Sequence, residues 1–223
     1  MTTLVLIAKE PLPGRAKTRL HPPLSLEQAA ELAAAAIDDT LRAIADLPVS
    51  RRVLFFDGSA VPAGAEGYDL VAQPTGTLDE RLAHIFDEVQ GPTVLIGMDT
   101  PQLSANDLRP AFDAWGAGGD PSGTPMDAWF GPATDGGFWA LGLREPRGEL
   151  LRGIPMSRND TGLRQLARLR EAGLRIGMLR ILTDVDTIES AVEVASAAPH
   201  TRFAETLTRF DRTLTGFNRP VVG

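Results

Sequence analysis

From residue 3 to about residue 198, short apolar runs alternate with longer stretches of helical periodicity, and this alternation restricts the chain more than any other feature. Thr3–Ala8 and Thr93–Met98 are near-continuous apolar runs, the pattern of strands covered on both faces, and are expected as adjacent central strands. Val53–Phe56, Tyr68–Gln73, Asp127–Phe130, Gly137–Leu143 and Leu174–Leu182 read as further strands. Ser25 opens the first helix, with Gln28 three residues on as in a capping box, and Pro48 stops it. Thr77 and Glu80 open a second, ended by Gly91-Pro92, and Ser104 caps a third to about Trp115. Helices over Thr161–Glu171 and Thr187–Ala198 and a weaker one over 201–215 complete the pattern. Gly116–Thr124 reads as a Gly/Pro/Ser turn region. The alternation predicts an α/β domain with a mainly parallel sheet.

The 223 residues suit one domain, with a core over about 3–195 and a C-terminal helix and tail over 196–223. There is no cysteine, which excludes a disulfide scaffold, a thiolate zinc site and a cysteine nucleophile. A net charge of −7 counts against a general nucleic-acid binder, although a local basic loop can still hold phosphates. No stretch approaches the ~20 apolar residues of a membrane span. The apolar start is followed at once by Lys9 and Glu10, so it reads as a buried strand and not a signal peptide, and a cytoplasmic protein is expected. His21, His84 and His200 do not cluster, and neither H-x-x-H nor G-x-S-x-G occurs.

In parallel α/β sheets, ligands sit outside the carboxyl ends of the strands, and four loops there are unusual. Lys9, Arg15, Lys17 and Arg19 crowd the loop after the first strand, where Gly14 lets backbone approach a ligand; the spacing is neither a P-loop nor G-x-G-x-x-G. Asp99 ends an apolar strand before Thr100-Pro101, a place suited to an oxygen-ligated cation. Asp135-Gly136-Gly137 exposes backbone amides and leaves room for a flat or bulky ligand, with Trp139 beside it as a possible stacking surface. Asp184 and Asp186 alternate just before a helix, and one of them could join Asp99 on a shared cation. Taken singly, each has a plainer account: a solvated basic loop, a turn cap, a tight turn between strands, and a helix N-cap.

Taken in order, the basic Gly loop, Gly76-Thr77-Leu78-Asp79-Glu80-Arg81-Leu82, Gly97-Met98-Asp99-Thr100-Pro101, Gly131-Pro132-Ala133-Thr134-Asp135-Gly136-Gly137-Phe138 and Asp184-Val185-Asp186-Thr187 resemble a known pattern. It is that of a bacterial and archaeal family with the glycosyltransferase-A, or nucleotide-diphosphosugar transferase, fold. The resemblance extends to phospholactate guanylyltransferases and, more distantly, to molybdenum-cofactor guanylyltransferases and sugar-nucleotide synthetases. It implies a three-layer α/β/α domain with a Rossmann-like sheet. It implies a nucleotide site at Ala8, Lys9, Gly14, Arg15, Lys17, Gln73 and Gly76, with Lys17 as the phosphate contact. It further implies metal ligation by Asp99 and Asp186, and an acceptor turn at Asp135, Gly136 and Gly137. The first loop lacks consecutive glycines, and Asp-Thr-Pro replaces the Asp-x-Asp of many glycosyltransferases.

The expected function is therefore Mg²⁺-dependent (or Mn²⁺-dependent) nucleotidyl transfer from a nucleoside triphosphate to a phosphorylated small molecule. Lys17, Arg19 and Asp99 are the expected catalytic residues, with Lys17 taken as a solvent-exposed cation contributing little to folding. The alternatives are glycosyl transfer from a nucleotide sugar, with Asp135 as base, and a non-catalytic nucleotide-binding domain. Neither nucleic acid nor membrane is an expected partner, and a homodimer is the assembly considered.

Overall fold

The computed structural model describes residues 2–115 and 126–217, with side chains as far as Phe210. The turn region expected at Gly116–Thr124 and the end of the tail lie outside the described residues. Seven strands form one sheet in the order β3-β2-β1-β4-β6-β5-β7. β1 (Thr3–Lys9) is paired in parallel with both β2 (Arg51–Asp57) and β4 (Thr93–Gly97), so Val5 lies between Val53 and Leu95. The two most apolar runs are thus adjacent and interior, as two-face burial requires. β3 (Asp69–Ala72) extends the parallel half beyond β2. β6 (Phe138–Leu143) is antiparallel to both β4 and β5 (Ala128–Pro132); the short turn joining β5 to β6 leaves no room for a crossover between those two.

Strand alternation sorts the interior into two layers. Leu4, Leu6, Leu54, Phe56, Val94 and Ile96 pack against α1 (Leu26–Ile44) and α3 (Ala105–Trp115). Val5, Val53, Phe55 and Leu95 face α2 (Leu78–Glu88) and α4 (Thr161–Glu171). The result is the three-layer α/β/α architecture. α5 (Ile188–Ala197) and α6 (Arg202–Phe217) add an outer layer, where Val185, Val194, Phe203 and Leu207 cover the back of α1. The predicted helix starts are present: Ser25 and Gln28 bond reciprocally at 3.2 and 2.8 Å, and the Glu80 carboxylate accepts from the Thr77 amide at 2.8 Å.

The strand expected over Leu174–Leu182 is much shorter: β7 spans Ile176–Met178, followed by a lone bridge from Leu182 to Ala133. Regular pairing with β5 ends at Phe130↔Met178, and beyond it the Leu179 and Leu182 amides reach β5, donating to the Phe130 and Pro132 carbonyls. Among the described residues, no helix is long and apolar enough to cross a membrane.

Asp39, 7% exposed, fixes the outer layer: its carboxylate accepts from the Arg202 and Phe203 amides at 3.1 and 2.8 Å, at the start of α6. Asp39→Ala leaves both amides unpaired, and a stability loss of about 1–3 kcal/mol is expected. Urea titration measures the loss, and hydrogen exchange should localise the extra opening to 202–210.

Candidate active site

A cavity of about 650 Å³ opens at the carboxyl ends of β1, β2 and β4. Parallel strands end there together, so the residues that follow each strand converge. Ala8 and Lys9 come from β1, Asp57 from β2, and Asp99 and Thr100 follow β4. Asp135, Gly137 and Phe138 come from the β5–β6 turn, and Asp184 and Asp186 from the loop before α5. Arg15, Lys17 and Arg19 bring the basic loop to the same space.

The basic loop is anchored by the buried side chains of Ala16 and Leu20, and between them Lys17 takes a left-handed backbone (φ 50°, ψ 37°). This turns its side chain inward. Only 6% exposed, its Nζ lies 2.6 Å from Asp99 Oδ1 and 3.4 Å from Asp186 Oδ1, and donates to the Val185 carbonyl. The Val185 amide in turn donates to the Asp99 carbonyl at 2.9 Å, tying the acidic loop to the end of β4. Asp99 and Asp186 therefore meet at one ammonium, that of Lys17. The expectation of a solvent-exposed Lys17 is corrected: the positive φ buries it. Lys9, Arg15 and Arg19 are the exposed cations, the two arginines at 65% and 68%, and Arg19 holds the other Asp186 oxygen at 3.0 Å.

A second acidic group overlaps the first. One carboxylate oxygen from each of Asp135, Asp184 and Asp186 lies within 4.8 Å of the others. Asp184 Oδ1 is buried without a hydrogen-bond partner. Burial, then repulsion from Asp135 and Asp186, pushes the Asp184 carboxyl up from 3.8 to about 6. An all-oxygen set with an orphaned, partly buried carboxylate suits a hard divalent cation. The Thr100 hydroxyl, on a cavity residue 1% exposed, also has no partner.

Because folding raises the Asp184 pKa, its unfavourable contribution is absent below about pH 4, grows as pH rises, and is complete above about pH 6. In EDTA the wild type should therefore lose stability across that window relative to Asp184→Asn. The difference, discounted for partial exposure, is about 1–2 kcal/mol at pH 7. Melting curves of both proteins from pH 4 to 7.5 measure it.

Several expected contacts are placed differently. Gly14, Gly76 and Gly136 do not line the cavity, although Ala8, Lys9, Arg15, Gln73 and Gly137 do. Gly14 (φ +74°) and Gly76 (φ +131°) serve turns, and a Cβ on Gly76 would strike Glu80 of the α2 capping box at 2.6 Å. Gly136 packs on the backbone of Asn159. The Gly137 amide is committed to Asp135 Oδ1 at 2.7 Å. The Gln73 amide group donates to the Ala8 and Phe55 carbonyls at 2.8 and 3.0 Å, while its oxygen accepts from Arg81 at 3.1 Å. It is a brace that aims Arg81 into the cavity. Trp139 is buried, its indole donating to the Arg180 carbonyl at 2.9 Å, so it packs more than it could stack.

Arg81, Met156, Ser157 and Thr161 line the cavity without having been singled out from sequence. Arg81 had a signal, since the Thr77–Glu80 box places it in the first turn of a helix that starts at the strand ends. Met156–Thr161 carries no comparable cue: Ser157 has φ 57° without being Gly or Asn.

An open, mostly parallel sheet with cationic and acidic loops facing each other across its strand ends defines a protein of the nucleotide-diphospho-sugar transferase fold. The chain aligns with a Desulfovibrio desulfuricans G20 protein assigned as a nucleotide-diphospho-sugar transferase, at 23% identity and TM-score 0.79, over 98% of this chain and 99% of that one. A nucleotidyl transferase from Methanothermobacter thermautotroptrophicus aligns at 14% identity and TM-score 0.53 over 92% and 99% of the two chains. The 2-C-methyl-D-erythritol 4-phosphate cytidylyltransferase of Thermus thermophilus aligns at 14% identity and TM-score 0.52 over 89% and 100%. These likenesses establish the shared fold. No curated protein matches the sequence. The chain belongs to the family described as "Uncharacterized protein conserved in bacteria (DUF2064)", whose model matches residues 40–158.

Proposed function

We propose that this chain is a Mg²⁺-dependent nucleotidyltransferase that joins a nucleoside monophosphate from a triphosphate to a phosphorylated small molecule. The observation that carries the reading is the meeting, in one cavity, of the Arg15–Lys17–Arg19 loop with Asp99, Asp135, Asp184 and Asp186. A triphosphate needs the first group, and a divalent cation needs the second. A non-catalytic nucleotide-binding domain has no need of carboxylates gathered from three separate loops.

In this reading an acceptor phosphate oxygen attacks the α-phosphorus, and the bond to the departing pyrophosphate breaks. Asp99 and Asp186, with Asp184, would hold Mg²⁺, which supplies Lewis-acid polarisation of the α-phosphate. Arg15 and Arg19 bind the outer phosphates and stabilise the charge that gathers on the leaving group. Arg81, half-buried and 3.9 Å from Asp57, flanks the nucleoside end. Asp135, Phe138, Ser157 and Thr161 border the acceptor. Among the described residues no histidine lines the cavity, which suits an acceptor already ionised at neutral pH.

Glycosyl transfer from a nucleotide sugar is the second reading, favoured by the exposed Asp135 carboxylate in the cavity wall, where it could take a proton from an acceptor hydroxyl. Substrates of either kind suit a cytoplasmic enzyme. The four triphosphates with Mg²⁺ and phosphorylated acceptors, followed by pyrophosphate release, test the first reading. Nucleotide sugars in parallel, followed by nucleoside diphosphate release, test the second.

A further inference from the structure

The cation standing between Asp99 and Asp186 belongs to the chain itself. We infer that Lys17 competes with the divalent cation for these two carboxylates, and that it turns to the triphosphate only when the cation and nucleotide arrive together. The inference rests on the reading above that this cavity takes a divalent cation with its nucleotide.

An ammonium has three donors, and those of Lys17 face three oxygens, on Asp99, Asp186 and the Val185 carbonyl. This is the environment of a bound cation. Asp99 and Asp186 are 44% and 40% exposed, so they remain reachable from the cavity while Lys17, at 6%, is enclosed behind them. Arg19 occupies Asp186 Oδ2, so both oxygens of that carboxylate are engaged by one loop. A dication bridging the same carboxylates would lie within a few ångströms of the ammonium, and like charges at that distance repel strongly. One of the two must leave.

The loop is built for a local exchange. Ala16 and Leu20 are both 0% exposed and fix its ends. Lys17 holds a left-handed backbone that is uncommon for a residue with a side chain, and its charged contacts keep it there. Loss of those contacts removes the reason for the conformation. Phosphate oxygens entering with the cation replace the carboxylates as partners for Lys17 and Arg19, so no buried charge is left unpaired.

The consequence is an effect of opposite sign on two ligands. Lys17→Met should bind Mn²⁺ alone about tenfold more tightly than wild type, since the competing ammonium is gone, and the Mn²⁺-triphosphate complex about tenfold more weakly. Titration of free Mn²⁺ by electron paramagnetic resonance, without nucleotide, reads the first effect. A melting curve confirms that the variant is folded. Should Lys17→Met not fold, Arg19→Met provides the test from an exposed position: it frees one Asp186 oxygen and should raise Mn²⁺ affinity by about two- to fivefold. Unchanged or weaker Mn²⁺ binding by folded Lys17→Met, or by Arg19→Met in its place, overturns the inference. A lysine that merely braced the loop would lose affinity for both ligands. Raised Mn²⁺ affinity alongside a silent triphosphate panel would refute nucleotidyl transfer and leave the competition standing.

Discussion

Asp99→Asn should lower turnover by about a thousandfold, roughly 4 kcal/mol of transition-state stabilisation, while the fold survives. The substitution keeps an oxygen near Lys17 but removes the charge. The Asp99 backbone carbonyl still accepts from Val185, so the acidic loop keeps its attachment to the end of β4. Because the side chain is 44% exposed, the stability loss should stay near 1 kcal/mol. Asp69→Asn is the control. Asp69 pairs with Arg51 at 2.7 Å at the sheet edge, away from the cavity, and its loss should leave turnover unchanged. Steady-state rates and melting curves on both variants separate a role in the reaction from a general effect of lost charge. Equal turnover in the two variants would remove Asp99 from the catalytic account.

The largest effect on stability is expected from Gly136→Ala, at about 3–5 kcal/mol. Gly136 has φ +90°, which an L side chain rarely adopts, and a Cβ there would lie 2.0 Å from the Asn159 carbonyl oxygen. That neighbour is backbone and cannot rotate away. Its surroundings are fixed too, because the Gly136 carbonyl accepts from the Gly162 amide at 2.8 Å at the start of α4. Yielding would separate the β5–β6 turn from α4 and move Asp135 out of the acidic group. Urea unfolding should show the loss. A substitution costing less than about 1 kcal/mol would mean that this turn is not locked to α4.

Gly136 also shows which features can be read from sequence. Its need for freedom was legible, but the cause was not. Ligand space and backbone packing call for the same residue, and the packing partner lies more than 20 residues away. The central strands were legible because burial on both faces writes a continuous apolar run into a single segment, as in β1 and β4. The placement of β6 between β4 and β5 depends on which strand edge is free, a tertiary matter. Asp99 and Asp186 were legible because each ends a strand or precedes a helix at the same sheet edge. The burial of Lys17 was not, since one positive φ turns an apparently solvated cation inward. Gln73 was placed correctly at the strand ends, but its donors go to backbone carbonyls, which no local pattern records.

The central claim is that this cavity transfers a nucleotidyl group, and the most direct test follows the α-phosphorus. The protein is incubated with Mg²⁺, a phosphorylated acceptor and a triphosphate labelled at the α-phosphate, and products are treated with phosphatase. The account predicts one phosphatase-resistant labelled product for each pyrophosphate released, lost in Asp99→Asn and in EDTA. Label that stays in the free nucleotide, while a parallel incubation with a nucleotide sugar releases nucleoside diphosphate, would contradict it.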